Sequence, residues 1–230
     1  MAVVHGILQI DVTAAKHALE ATDPPGSMTA LVVSAVATTA ARHPSVHAYR
    51  DWRGKVVTHS YVDVATMVEV QRPDGPVPMA HLIRDADVRD LADLSAELRA
   101  VKARPTESRS GHLLATTIPW ASRVPGLMGV FYRVIAKSVR ARQMSGTVSV
   151  TSIGMFGSGG GIGIAIPTIH TLNVLVGGIS ARPVVVAGSI EVRDIMDLTI
   201  SVNHDLVDGA PAARFTADLQ RLLESPDQLP

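Results

Sequence analysis

Three residues near the C-terminus have the types and spacing for proton-transfer chemistry. In "VNHDLVDGAPAARF" (Val202–Phe215), His204 precedes Asp208 by four positions and Gly209 follows directly. Imidazole titrates at about pH 6.5, so a histidine held in a fixed pose is a candidate general base near neutrality. Asp208 is placed either to brace the turn or to bind a backbone amide. Gly209 permits close packing or a positive φ where the next helix begins. The plainer reading of the same spacing is a turn that carries a surface histidine.

The rival constellations fail on register. In "GMFGSGGGIG", Gly157 and Gly159 would need a third glycine at Ile162 to make a dinucleotide loop, and Gly159 and Gly161 would need one at Ile164. There is no Gly-Lys-Ser/Thr phosphate loop, and Ser158 follows Phe156 where a nucleophile elbow needs glycine. The cluster reads as a tight, close-packed turn. His43 and His47 have the spacing of a helical metal pair, but Pro44 between them disfavours a helix through both. His5, His17, His59, His81, His112 and His170 lack partners at ligand spacing and read as structural. Arg133, Lys137, Arg140 and Arg142 read as a solvated helix face, with anion binding as the second reading.

A strand must deliver His204 to its turn. "MDLTISVNH" (Met196–His204) puts Leu198, Ile200 and Val202 on one face and Thr199, Ser201 and Asn203 on the other. "GAPAARFTADLQRLLES" is the helix that follows, and "TVSVT", "TLNVLVGGI", "PVVVAG" and "SIEVRD" are strands ahead of it. Earlier, "VVHGILQIDV" reads as a strand leading at Val12 and Thr13 into a short helix that ends near "TDPPG". "MTALVVSAVATTAAR" is a buried helix behind Ser27 as N-cap, ended by Pro44. Three β-rich runs follow, "KVVTHSYVDV", "ATMVEVQ" and "VPMAHLI", with a turn at "RPDGP". In "VRDLADLSAELRAVKAR", apolar positions 88, 91, 94, 98 and 101 share one helix face, and "GVFYRVIAKSVRARQ" keeps 130, 131, 134, 135 and 139 to one face. No repeat or linker divides residues 1–230, so the expectation is one domain with a mixed sheet flanked by helices.

Composition removes several classes of function. Hydrophobic residues are 47% and charged residues 18%, which excludes a disordered chain. Lys+Arg and Asp+Glu are 21 each and aromatics are 3%, so neither nucleic acid nor an anionic membrane is expected as a partner. Without cysteine there is no disulfide, no Cys-ligated zinc and no thiol nucleophile, which fits a cytoplasmic protein. No signal peptide is visible. The apolar stretch Leu113–Ala136 contains Pro119, Arg123, Pro125 and Arg133, a poor membrane span.

"HDLVDG" carries the His-x-x-x-Asp-Gly signature of the chloramphenicol acetyltransferase-like superfamily, and nearly the whole chain resembles one branch of it. That branch is the catalytic core of the dihydrolipoyl acyltransferases of 2-oxoacid dehydrogenase complexes. "SGTVSVTSIGMFG" (Ser145–Gly157) is similar to that family's strand and glycine turn, and "VLVGGISARPVVVAGSIEVRDIMDLTISVNHDLVDGAPAARF" to its hairpin and active-site strand. "LIRDADVRDLADLSAEL" and "QIDVTA" are similar to its middle and its opening strand.

The resemblance implies an α/β two-layer sandwich that assembles as a homotrimer, with active sites between subunits. It implies His204 as the base toward a thiol, Asp208 as the acid that fixes the active-site loop, and Thr151 as hydroxyl donor to a tetrahedral oxyanion. The implied reaction is acyl transfer between a dihydrolipoyl thiol and coenzyme A in one ternary complex, without a metal. The chemistry is consistent: thioester exchange needs a thiolate and a donor for the developing oxyanion, and no covalent enzyme intermediate. Three departures stand out. The family's Asp-His-Arg is here Asn203-His204-Asp205. No lipoyl or subunit-binding domain is expected in these residues, so a lipoylated carrier protein would have to act in trans. The 109–143 segment is longer than the family's connection, and its apolar face is expected to pack on the trimer or the substrate channel. A non-catalytic trimeric scaffold, or an acyltransferase with an unrelated small-molecule acceptor, are the alternatives.

Overall fold

Alternating apolar residues in the C-terminal half build the centre of a sheet. The computed structural model describes residues 2–72, 75–104, 126–153 and 159–225. Six strands make one sheet: β1 (Val3–Asp11), β4 (Val64–Arg72), β5 (Gly75–Ile83), β6 (Val148–Ser152), β7 (Leu172–Val186) and β8 (Ser189–Asn203), in the order β1-β8-β7-β6-β4-β5. β6 runs parallel to both β4 and β7, and the other pairs are antiparallel, so the sheet is mixed. A small ribbon of β2 (Tyr49–Arg50) and β3 (Val56–Val57) stands apart.

The helices are α1 (Thr13–Glu20), α2 (Met28–Arg42), α3 (Leu91–Ala103), α4 (Leu127–Lys137), α5 (Val139–Gln143) and α6 (Gly209–Glu224). Leu31 and Val32 of α2, Leu94 and Leu98 of α3 and Phe215 and Leu219 of α6 share one buried core with Val148, Val150, Leu172, Val174, Leu198, Ile200 and Val202 of the sheet. This is the expected two-layer α/β sandwich. Strand alternation turns Ser149, Thr151, Asn173, Leu175, Asp197, Thr199 and Ser201 to the opposite face.

Side chains cap the starts of α2 and α3, Ser27 as expected and Asp90 in addition. Ser27 accepts a hydrogen bond from the Ala30 amide at 3.4 Å and Asp90 one from Asp93 at 2.7 Å, each closing a free helix-terminal N–H. Asp90 starts α3 later than periodicity suggested, leaving Val88 outside it and 74% exposed.

Three expectations change. The pieces "TLNVLVGGI", "PVVVAG", "SIEVRD" and "MDLTISVNH" are two 15-residue strands, β7 and β8, whose pairing shifts between Val176 and Ile179 at a Gly177–Gly178 irregularity. Of "KVVTHSYVDV", only Val56–Val57 and the last residue lie in strands. Asp63 instead spends its carboxylate on Arg84 (2.5 Å) and the Asp85 amide (2.9 Å). "GVFYRVIAKSVRARQ" is two helices, because Ser138 leaves helical geometry (ψ 123°) and caps α5. Residues 109–125 of the 109–143 segment lie outside the described residues. Among the described residues no helix is long and apolar enough to cross a membrane.

Candidate active site

His204 stands where β8 runs out of partners. The Asn203 amide donates to the Thr171 carbonyl (2.9 Å) and the His204 amide to the Ala2 carbonyl (2.8 Å). The chain then turns on Asn203: the Leu206 and Val207 amides donate to its carbonyl (3.1 and 3.0 Å), and the Asp205 amide to its Oδ1 (3.1 Å). Val207, 1% exposed, plugs the far side of the turn into the core. The backbone of His204 is thus fixed from both sides while its residue is exposed.

Asp208 occupies the N-cap position of α6, but its side chain makes no capping hydrogen bond and it is exposed. Asp205 does what was expected of Asp208: its Oδ2 accepts from the Ala2 amide (3.3 Å), joining the turn to the start of β1. Gly209 meets nothing within 4 Å at its missing Cβ, so close packing does not require it.

Thr151 lies half-buried on β6, on the face away from the helices. It is level with Leu175 of β7, which is level with Thr199 of β8. His204 is five residues beyond Thr199 and two strands across, a separation of roughly 19 Å at ordinary strand spacing and rise. One chain does not bring the two residues together.

The same face carries features that single-residue reading missed. Ser149, Asn173, Ser201 and His5 are level across β6, β7, β8 and β1. His5 Nδ1 lies 2.8 Å from Ser201 Oγ, and Asn173 Oδ1 accepts from Thr168 Oγ1 at 2.5 Å. Gly160 and Gly161 lie directly on Gly177 and Gly178: the Gly178 amide donates to the Gly161 carbonyl (3.0 Å) and the Gly161 amide to Asp197 Oδ2 (3.1 Å). Arg182 Nη1 holds Asp197 Oδ1 at 2.9 Å, and this hydrogen bond keeps the Asp197 carboxyl below the usual range. The expected close packing is present at Gly160 and Gly163, but 160–163 is irregular chain without a turn, and 154–158, with Ser158, lies outside the described residues.

Several of the histidines read as structural have partners within the fold, and His112 lies outside the described residues. His43 Nε2 pairs with Asp218 (2.8 Å) and His81 Nε2 with Glu97 (2.6 Å). Among the described residues no three His, Cys, Asp or Glu converge on a metal site. The solvated-face reading of the basic run fails at Arg142, which is 3% exposed. Its guanidinium lies 4.4 Å from the Tyr49 ring centroid and donates to the Ile169 carbonyl, contacts between segments too distant in sequence for helical periodicity to reveal. Next to it Tyr49 stacks on His59, and the His59 ring lies tilted against Tyr61. Burial, aided by nearby His59 for His47, pushes the His47 and His170 imidazoles down to about 4.

Residues 131–230 match the model of the family "2-oxoacid dehydrogenases acyltransferase (catalytic domain)". The chain is 29% identical over 200 residues to the dihydrolipoyllysine-residue succinyltransferase component of the 2-oxoglutarate dehydrogenase complex of Escherichia coli K12, across 86% of this chain and 40% of that protein. It thus spans well under half the length of that curated relative. Its fold superposes on the dihydrolipoamide acetyltransferase of Azotobacter vinelandii with a TM-score of 0.71 at 21% identity, covering 97% of this chain and 82% of the other. A chloramphenicol acetyltransferase superposes with a TM-score of 0.58 at 13% identity, over 96% and 88% of the two chains.

Proposed function

We propose that this chain, whose residues 131–230 match the 2-oxoacid dehydrogenase acyltransferase catalytic-domain model, moves an acyl group between a dihydrolipoyl thiol and coenzyme A. The observation that carries the reading is the position of His204: an exposed imidazole on a backbone held by hydrogen bonds to Ala2 and around Asn203, within the family-matching part of the chain.

The steps follow from the groups present. His204 accepts the proton of the attacking thiol, and the thiolate adds to the thioester carbonyl. Thr151 Oγ1 donates a hydrogen bond to the tetrahedral oxyanion. Collapse expels the other thiolate, which takes back the proton from the imidazolium. Both substrates are bound together and no acyl-enzyme forms. The lipoyl group arrives on a carrier protein in trans.

Two observations support a site shared between copies in a homotrimer. Thr151 and His204 are far apart within one chain, so a complete site needs His204 of one copy and Thr151 of another. Ile162, Ile164 and Ile166 are 54%, 60% and 84% exposed, and Val185, Ile190 and Val192 at the hairpin tip are 73–78% exposed. Such apolar surface is what a subunit contact covers.

The uncapped Asp208 favours a second reading, a scaffold of the same fold without turnover. The deciding experiment incubates the purified protein with a panel of acyl-CoAs and dihydrolipoamide and follows free coenzyme A and acyl-dihydrolipoamide. Exchange that disappears in His204→Ala establishes the acyltransferase, and absence of exchange with every acyl-CoA leaves the scaffold or an unrelated acceptor.

A further inference from the structure

The β2–β3 turn and α4 meet in a shallow cavity of about 330 Å³ lined by Trp52, Val130, Arg133, Val134, Lys137 and Ser138. Its make-up is unusual for a solvent-facing surface of this chain. Trp52 is 69% exposed, and Val130 and Val134, one helical turn apart, are 57% and 53% exposed. Arg133 and Lys137, likewise one turn apart, flank them and have no carboxylate partner among the described residues. A third cation, Arg53, lies 4.6 Å from the Trp52 ring centroid. The turn that presents Trp52 is rigid: Asp51 Oδ1 accepts from the Arg53 and Lys55 amides, each at 2.8 Å, and Gly54 takes the φ of +76° that closes it.

An aromatic face beside two or three unpaired cations, with the one nearby acid, Asp51, turned to the backbone amides of its own turn, is complementary to a ligand with a planar ring and several phosphates. Bases stack on tryptophan, and Arg and Lys take phosphate oxygens. The volume lies at the lower end of small-ligand sites, enough for a nucleotide and too small for a whole cofactor. The cavity is also tied to the His204 end of the sheet. Ala48, which leads into β2, accepts a hydrogen bond from Thr171 Oγ1, and the Thr171 carbonyl accepts the Asn203 amide.

We infer that the Trp52 shelf binds the 3′-phosphoadenosine diphosphate end of coenzyme A, with the adenine against Trp52 and the phosphates on Arg133, Lys137 and Arg53. This rests on the acyl-CoA reading above and assigns it a nucleotide subsite. The thiol end of the same molecule then extends toward the His204 turn.

The test titrates the protein with adenosine 3′,5′-bisphosphate, coenzyme A, dephospho-coenzyme A and pantetheine, by calorimetry and tryptophan fluorescence. The bisphosphate and coenzyme A should bind, dephospho-coenzyme A more weakly, and added salt should weaken all three. Trp52→Ala should weaken bisphosphate binding by about tenfold or more, with Trp52→Phe restoring most of it. Arg133→Glu with Lys137→Glu should abolish it, while Arg140→Glu, an exposed cation outside the shelf, leaves it unchanged. These are surface positions, and circular dichroism verifies that each variant is folded. If coenzyme A supports acyl exchange equally well in the shelf variants and the bisphosphate does not bind, the shelf assignment falls and the acyltransferase reading stands. If the bisphosphate binds through Trp52 but no acyl-CoA is turned over, the shelf stands and the acyltransferase reading falls. Sedimentation with anionic vesicles, lost in the Arg133/Lys137 variant, without bisphosphate binding would overturn the proposal in favour of a membrane contact.

Discussion

His204, Thr151 and Asp208 have different physical situations, so their substitutions should separate. The His204 side chain is exposed and its turn is held by backbone bonds, so His204→Ala should leave folding intact. Removing a general base should lower turnover by ~10² to 10⁴-fold, read as initial rates of acyl exchange at saturating substrates. Thr151→Ala should cost on the order of 10² to 10³-fold as the loss of an oxyanion donor, and Thr151→Ser should restore most of the rate because the hydroxyl remains. Asp208 makes no capping bond in this chain, so Asp208→Asn should shift the urea-unfolding free energy by less than about 0.5 kcal/mol. A rate loss without a stability loss would then point to a contact that Asp208 makes outside its own chain.

Two elements carry testable energetics of their own. The glycine segment fits on β7 because Gly177 and Gly178 lack side chains: a Cβ at Gly177 would lie 2.1 Å from the Gly161 carbonyl oxygen, and one at Gly178 would lie 2.5 Å from Gly160 Cα. Gly177→Ala meets backbone that cannot swing aside, and it should destabilise by about 1–3 kcal/mol in denaturant unfolding. The second element is the packing around Arg142, which encloses neutral histidines. His47 and His170 have folded values of about 4, below the ordinary imidazole value, because burial penalises their charged form. A depressed folded value means the unfolded chain takes up protons first. The fold therefore keeps its full stability above about pH 6.5 and loses it progressively as pH falls toward 4. Unfolding midpoints measured from pH 7.5 to 4 should follow that curve, and His170→Gln should flatten part of it.

At the scale of the molecule, the question is whether a complete site needs more than one copy. If His204 and Thr151 act across a subunit boundary, His204→Ala and Thr151→Ala proteins should each be nearly inactive alone. Unfolded together, mixed equally and refolded, they should recover about a quarter of the parent rate, since that share of random subunit pairings joins an intact His204 to an intact Thr151. No recovery in mixed oligomers would place both residues' work within one chain and remove the shared site. The exposed apolar residues at 162, 164 and 166 supply a parallel check. Ile164→Glu should shift the oligomer toward monomer in sedimentation velocity, and activity should fall with it.

What the sequence determined by itself was local or periodic. Period-2 alternation in "LTISV" placed Leu198, Ile200 and Val202 in the core, Ser27 marked a helix start, and Pro44 marked a helix end, because each depends on near neighbours and backbone geometry. The His204 turn was legible for the same reason: a strand ending in His-Asp before a Gly-started helix leaves that side chain few places to go. Tertiary structure decided what depends on segments far apart in the chain. Nothing local says that Gly160–Gly161 must lie on Gly177–Gly178, or that Arg142 leaves its helix face for Tyr49 and the Ile169 carbonyl. Nor could periodicity show that Asp205 rather than Asp208 ties the turn to Ala2, since that bond joins residues 203 positions apart. The roughly 19 Å between His204 and Thr151 is of the same kind, because strand order and register set it and neither is written in either strand alone.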